Sequence, residues 1–98
     1  VIGYYTIPFA CTIMGWSIQV DAGTDTVDIW KIATGTAIPT VTNTITAAAL
    51  PAIAAGTVNQ STTLTGWTTS VAANDIMAAN LTTTSGTGYI SIQIACTQ

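Results

Sequence analysis

An all-β fold, an antiparallel β-sandwich of about seven to eight strands with jelly-roll-like character, is predicted by three features of this sequence. Threonine and isoleucine dominate it, and both are β-branched residues that fit strands better than helices. Apolar and polar positions alternate in several segments, the pattern of a strand with one face in a core. Turn-forming clusters of Gly, Asn and Asp separate these segments roughly every 8–12 residues, as in a sandwich or barrel.

Taken in order, Tyr4–Ile7 reads as a short opening strand stopped by Pro8. Thr12–Val20 is a longer strand with Met14, Trp16, Ile18 and Val20 on one face. A bulge at Gly15 would shift its phase and turn Cys11 and Ile13 toward the core as well. Asp21–Asp25 is a turn, and Thr26–Ile32 a strand with Val27 and Ile29 opposed to Asp28 and Trp30. Gly35–Gly56 reads as a long crossing loop, a short helix at Ile45–Leu50, or both. Strands are expected within Thr62–Val71 and over Asp75–Thr83, separated by the Ala73-Asn74-Asp75 turn. Ser85–Gly88 looks like a hairpin connection into Tyr89–Cys96, where Ile90, Ile92 and Ile94 share one face.

The 98 residues allow a single domain, residues 1–98. Opening on Val1 rather than Met fits a processed or excised segment. Charged residues make up 5% of the chain, against roughly 25% in an average soluble domain. They are Asp21, Asp25, Asp28, Asp75 and Lys31 alone. Such a surface lacks the charge that ordinarily discourages association, so neighbouring subunits are expected to cover much of it. One lysine cannot supply the phosphate contacts that nucleic-acid binding needs. The longest apolar run, Ala47–Gly56, is interrupted by Pro51 and falls short of the ~20 residues of a spanning helix, so no membrane insertion is expected.

The residues of catalysis are scarce. Without histidine there is no imidazole base for a triad or a Cys–His pair, and nothing near Lys31 suggests an activated amine. Two cysteines and no histidine exclude the common zinc sites, and no phosphate-binding glycine loop is present. The sequence therefore predicts no enzyme, no catalytic residue and no cofactor. Asp21, Asp25 and Asp28 are close enough in sequence to suggest calcium, but they lack the EF-hand spacing and its final Glu. We read Asp21 and Asp25 as turn residues and Asp28 as outward-facing, with no metal. Trp16 and Trp67 are assigned to the core. Trp30 shares a face with Asp28, which predicts partial exposure, and it is the candidate contact residue for a protein interface or a glycan.

The run Gly3-Tyr-Tyr-Thr-Ile-Pro-Phe-Ala-Cys-Thr-Ile-Met-Gly-Trp-Ser-Ile18 resembles the opening of β-rich virion surface domains of tailed bacteriophages. The likeness continues through Val27-Asp-Ile-Trp-Lys31, Pro39-Thr-Val-Thr-Asn-Thr-Ile45, Leu64-Thr-Gly-Trp-Thr68, Ala73-Asn-Asp-Ile76 and the closing isoleucine strand. These segments span nearly the whole chain in order. The resemblance implies a virion location and a structural role in a tail fibre, tail tip or baseplate, for assembly or host attachment. It carries no catalytic residues. Family-like patterns often have a more charged final strand, whereas Tyr89–Gln98 here is uncharged.

A phage protein would fold in a reducing cytoplasm, so Cys11 and Cys96 are expected as two buried thiols, although a bridge between first and last strands is geometrically open. The partners expected are other virion proteins, further copies of the chain with a homotrimer favoured, and a host surface glycan. A capsid decoration (cement) protein is the alternative within the same class. A carbohydrate-binding module centred on Trp30 is the alternative of another class, and a secreted pilus or surface-layer subunit ranks lower.

Overall fold

Alternating side chains settle into eight strands among the described residues, which contain no α-helix. The computed structural model describes residues 1–54 and 56–98. In chain order the strands are β1 (Gly3–Thr6), β2 (Cys11–Val20), β3 (Thr24–Ile32), β4 (Ala52–Ile53), β5 (Val58–Ser61), β6 (Ser70–Val71), β7 (Ile76–Ser85) and β8 (Ile90–Thr97). Every pairing is antiparallel. One sheet has the order β1-β7-β3-β4. In the other, β2 is central, with β8 along one edge and β5 and β6 sharing the opposite edge. The predicted antiparallel β-sandwich is the fold that forms.

Two faces of this sandwich make the core. From β2 come Ile13, Trp16, Ile18 and Val20, and from β3 and β7 come Val27, Ile29 and Met77, all buried. Each such aliphatic side chain contributes about 1.5–3 kcal/mol by leaving water. The register of β2 against β8 shifts between Ile13 and Gly15, so the expected bulge is present. Met14, the extra residue, turns out to solvent while Cys11 and Ile13 turn in. Glycine is required there because a Cβ on Gly15 would lie 2.8 Å from the Ser61 carbonyl oxygen.

Ser85–Gly88 does not close a hairpin. β7 lies in one sheet and β8 in the other, so this loop crosses between them, as does the Asp21–Gly23 connection beside it. Sequence rhythm reports that a turn is present but not which sheet the next strand joins.

The middle of the chain differs most from expectation. Ile45–Leu50 forms no helix; a single 3-10 turn lies earlier, at Val41–Asn43, and Ala49 N–H closes a tight turn onto Thr46. The Thr62–Val71 segment supplies only β6, because the strand that pairs with the middle of β2 is β5, just before it. Threonine favours strands, yet Thr62–Trp67 instead turns at Gly66, whose φ of 77° suits glycine. Trp67 is buried, as expected, and its indole N–H donates to the Ala49 carbonyl at 2.8 Å.

The outer edge of β3 is paired piecewise by this crossing segment. Asp25 and Thr26 meet β4, Val27 N–H donates to the Pro51 carbonyl, and Ile45 N–H donates to the Ile29 carbonyl. Ile45 reaches the core from there. The crossing loop therefore finishes a sheet edge and lies over its outer face.

Candidate functional site

Two ends of the sandwich hold most of the charge, and both are tied up structurally. At one end the only lysine, Lys31 on β3, donates to the Ser70 carbonyl at 2.7 Å and approaches Asp75 at 3.4 Å. Asp75 also accepts from the Ala72 N–H, fixing the turn into β7. At the other end Asp21 accepts from the N–H groups of Ala22, Gly88 and Tyr89, so one carboxylate links the two inter-sheet loops. These bonds, the Tyr89 N–H first and then Gly88, hold the Asp21 carboxyl below its ordinary value. A depressed folded-state pKa gives stability that is present above the unfolded value and lost as pH falls through the folded one. We expect wild-type thermal stability to decline below about pH 4 and Asp21→Asn to flatten part of that decline, measured by melting across a pH series.

Asp25 is fully buried and accepts from the Thr87 hydroxyl, which also donates to the Ala22 carbonyl. Its service to the turn is as expected. Asp28 is not on this side. It lies on the opposite face of β3, so the three aspartates do not converge. Among the described residues no group of three or more His, Cys, Asp or Glu side chains is placed to hold a metal ion.

The expected exposure of Asp28 and Trp30 is corrected by the structure. Asp28 is 9% and Trp30 8% exposed, because the crossing segment covers the outer face of β3. Asp28 accepts from the Thr44 hydroxyl at 2.6 Å, the Thr46 hydroxyl at 2.7 Å and the Trp30 indole N–H at 3.1 Å. Trp30 is thereby part of a packed polar knot, and its ring is not a platform on which a sugar could stack. The alternation put both residues on the right face; what lies over that face was not readable from it.

The expectation of two free thiols is also overturned. Cys11 and Cys96 form a disulfide, with Cα atoms 5.6 Å apart, joining the start of β2 to the end of β8. Bulge-shifted β2 turns both sulfurs inward from adjoining strands, a proximity that depends on long-range register. Disulfides persist in oxidising surroundings such as the periplasm, the extracellular space and virion or cell surfaces.

Two open surfaces remain. The outer face of the β2 sheet carries a shallow groove of about 990 Å³. Its lining is uncharged, with Gln60, Ser17 and Gln93 in one row across the sheet and Thr62 and Ala95 flanking Gly15. Met14 stands exposed at the same surface. The second surface is the side of the sandwich where the sheets end on β1 and β8. Among the described residues β1 pairs with β7 alone and β8 with β2 alone, so each presents a free edge.

Apolar surface is accessible on this side, as it also is at Phe9, Met14, Ile38, Val41 and Val58 elsewhere. Ile90, Ile92 and Ile94 pack on the core but stay partly exposed, while Val1, Ile2, Tyr4 and Tyr89 are exposed outright. Tyr5, on β1, has its hydroxyl buried without a hydrogen-bond partner, and burial pushes its pKa up to about 12. Sequence reading marked the uncharged strand Tyr89–Gln98 but not the β1 edge beside it. The available signal was the lack of Lys, Glu or Pro from Ile90 to Thr97, residues that commonly guard an edge strand.

Among the described residues no helix is long and apolar enough to cross a membrane. No known protein family, curated protein or solved structure matches the chain, so its function is argued from its own residues.

Proposed function

We propose that this chain is a non-catalytic assembly module of an extracellular particle, most specifically a structural protein on the virion surface of a tailed bacteriophage. Its work is to bind neighbouring subunits in a tail fibre, tail tip or baseplate. The observation that carries this reading is the side of the sandwich bounded by β1 and β8, which combines free strand edges with exposed apolar residues and carries no charge along β8. Soluble monomers ordinarily protect such edges.

Two further features support it. The few charged groups are spent on loops and buried contacts, so little charge is left to keep copies apart. The disulfide fits a particle outside a cell, and since a phage protein folds in a reducing cytoplasm, on this reading the bridge closes after release into oxidising surroundings. Quantitative mass spectrometry of purified virions tests the assignment directly. Low copy number per particle is expected for a tail component, and high copy number would move the chain to capsid decoration. Failure to find it in particles, together with a stable non-associating monomer in solution, would overturn the reading.

A further inference from the structure

We infer that the free edge of β8 is a self-pairing surface, on which a second copy of this chain adds its own β8 antiparallel about a two-fold axis centred on Gln93. The inference rests on the assembly reading above and names its partner and geometry.

Pairing parity restricts the register. A two-fold axis perpendicular to the sheet keeps the inner face of one copy continuous with that of the other only when like-facing residues meet. Centring on Gln93 satisfies this. Ile92 then meets Ile94 of the copy, Ser91 meets Ala95, and Gln93 meets Gln93. The partly exposed isoleucines of β8 would gain an apolar neighbour, which an isolated sandwich does not give them. Glutamine at the axis is self-complementary, since its amide both donates and accepts. On the outer face, the row Gln60, Ser17, Gln93 would continue into its symmetry mate, joining two grooves into one.

Charge does not oppose the pairing. Asp25, Asp28 and Asp75 are buried, and Lys31 is engaged with Asp75. The remaining acid, Asp21, is held at the Gly88–Tyr89 end of β8. In this register the two Asp21 side chains sit at opposite ends of the paired strands, roughly 25 Å apart at ~3.4 Å per residue. That is about three Debye lengths at physiological salt, so their repulsion is largely screened. The other edge strand, β1, has only four residues and offers a much shorter ladder.

Sedimentation velocity on the full chain across a dilution series tests the inference. Wild type is expected to be a dimer. Gln93→Lys, at an exposed position, places like charges across the axis and is expected to raise the dissociation constant at least about tenfold while leaving the melting temperature of the monomer unchanged. Val58→Lys, on exposed β5 at the opposite edge, is expected to remain a dimer. Gln93→Cys gives a second readout that adds no charge: it should crosslink to its own copy on oxidation. Ser91→Cys should not, because its counterpart lies roughly 14 Å away along the strand, beyond disulfide reach. A monomeric wild type would overturn this inference, and if the chain is also missing from particles it overturns the assembly reading with it. A trimer or dimer that ignores Gln93→Lys and fails to crosslink at Gln93→Cys overturns the β8 geometry alone.

Discussion

Opening the Cys11–Cys96 bridge is expected to lower the unfolding free energy by about 4.5 kcal/mol, a value set by the length of chain it closes. The two cysteines are 85 residues apart, so the bridge spans most of the chain and removes much of the freedom of its unfolded form. A domain of this size has little margin, because small domains bury a smaller share of their surface. For a domain near 100 residues, the loss corresponds to a fall in melting temperature of roughly 20 °C. Calorimetry with and without reductant, beside the Cys11→Ser/Cys96→Ser double variant, checks it. Agreement between reduced wild type and double variant is expected, and a shift of only a degree or two in both would show that the bridge does not constrain the unfolded chain.

Asp28→Ala is expected to produce the next largest loss, about 3 kcal/mol. Its carboxylate is the shared acceptor for two threonine hydroxyls and an indole N–H, of which Thr46 and Trp30 are buried beneath the crossing segment and Thr44 is exposed at its surface. Deleting it strands the buried Thr46 hydroxyl and Trp30 indole N–H, while exposed Thr44 can turn to water, and a buried donor without a partner is more costly than the hydrogen bond itself was worth. Asp28→Asn keeps the volume and one carbonyl acceptor, so a smaller loss of about 1–2 kcal/mol is expected. Urea denaturation of both variants measures the difference. Equal stability of Asp28→Ala and wild type would mean that the crossing segment is anchored by its apolar contacts alone.

Local pattern was enough for much of the architecture. Period-two alternation located the long strands, and the Gly15 bulge was readable because without it Cys11 and Ile13 would face solvent. The short strands were not. β4 and β6 have two residues each and exist because β3 and β2 leave edges to fill, a property of the assembled sheets rather than of Ala52–Ile53 or Ser70–Val71. Asp28 illustrates the same limit for a side chain, since alternation fixes its face and a distant loop fixes its burial. The Gln60, Ser17 and Gln93 row brings together three strands far apart in sequence, and only register aligns them.

The route of the chain between sheets has a consequence for how the protein comes to be made. Among the described residues no strand apart from β3 with β4 pairs with its immediate successor, so there is hardly a local hairpin from which order could spread. Topologies dominated by distant pairings fold slowly, in milliseconds to seconds, because loop closure must precede the contacts that reward it. During synthesis β2 emerges early and its longest partner, β8, emerges last of all these strands. An apolar strand therefore waits uncovered on the ribosome, and the nascent chain has most need of a chaperone just before the final isoleucine strand appears.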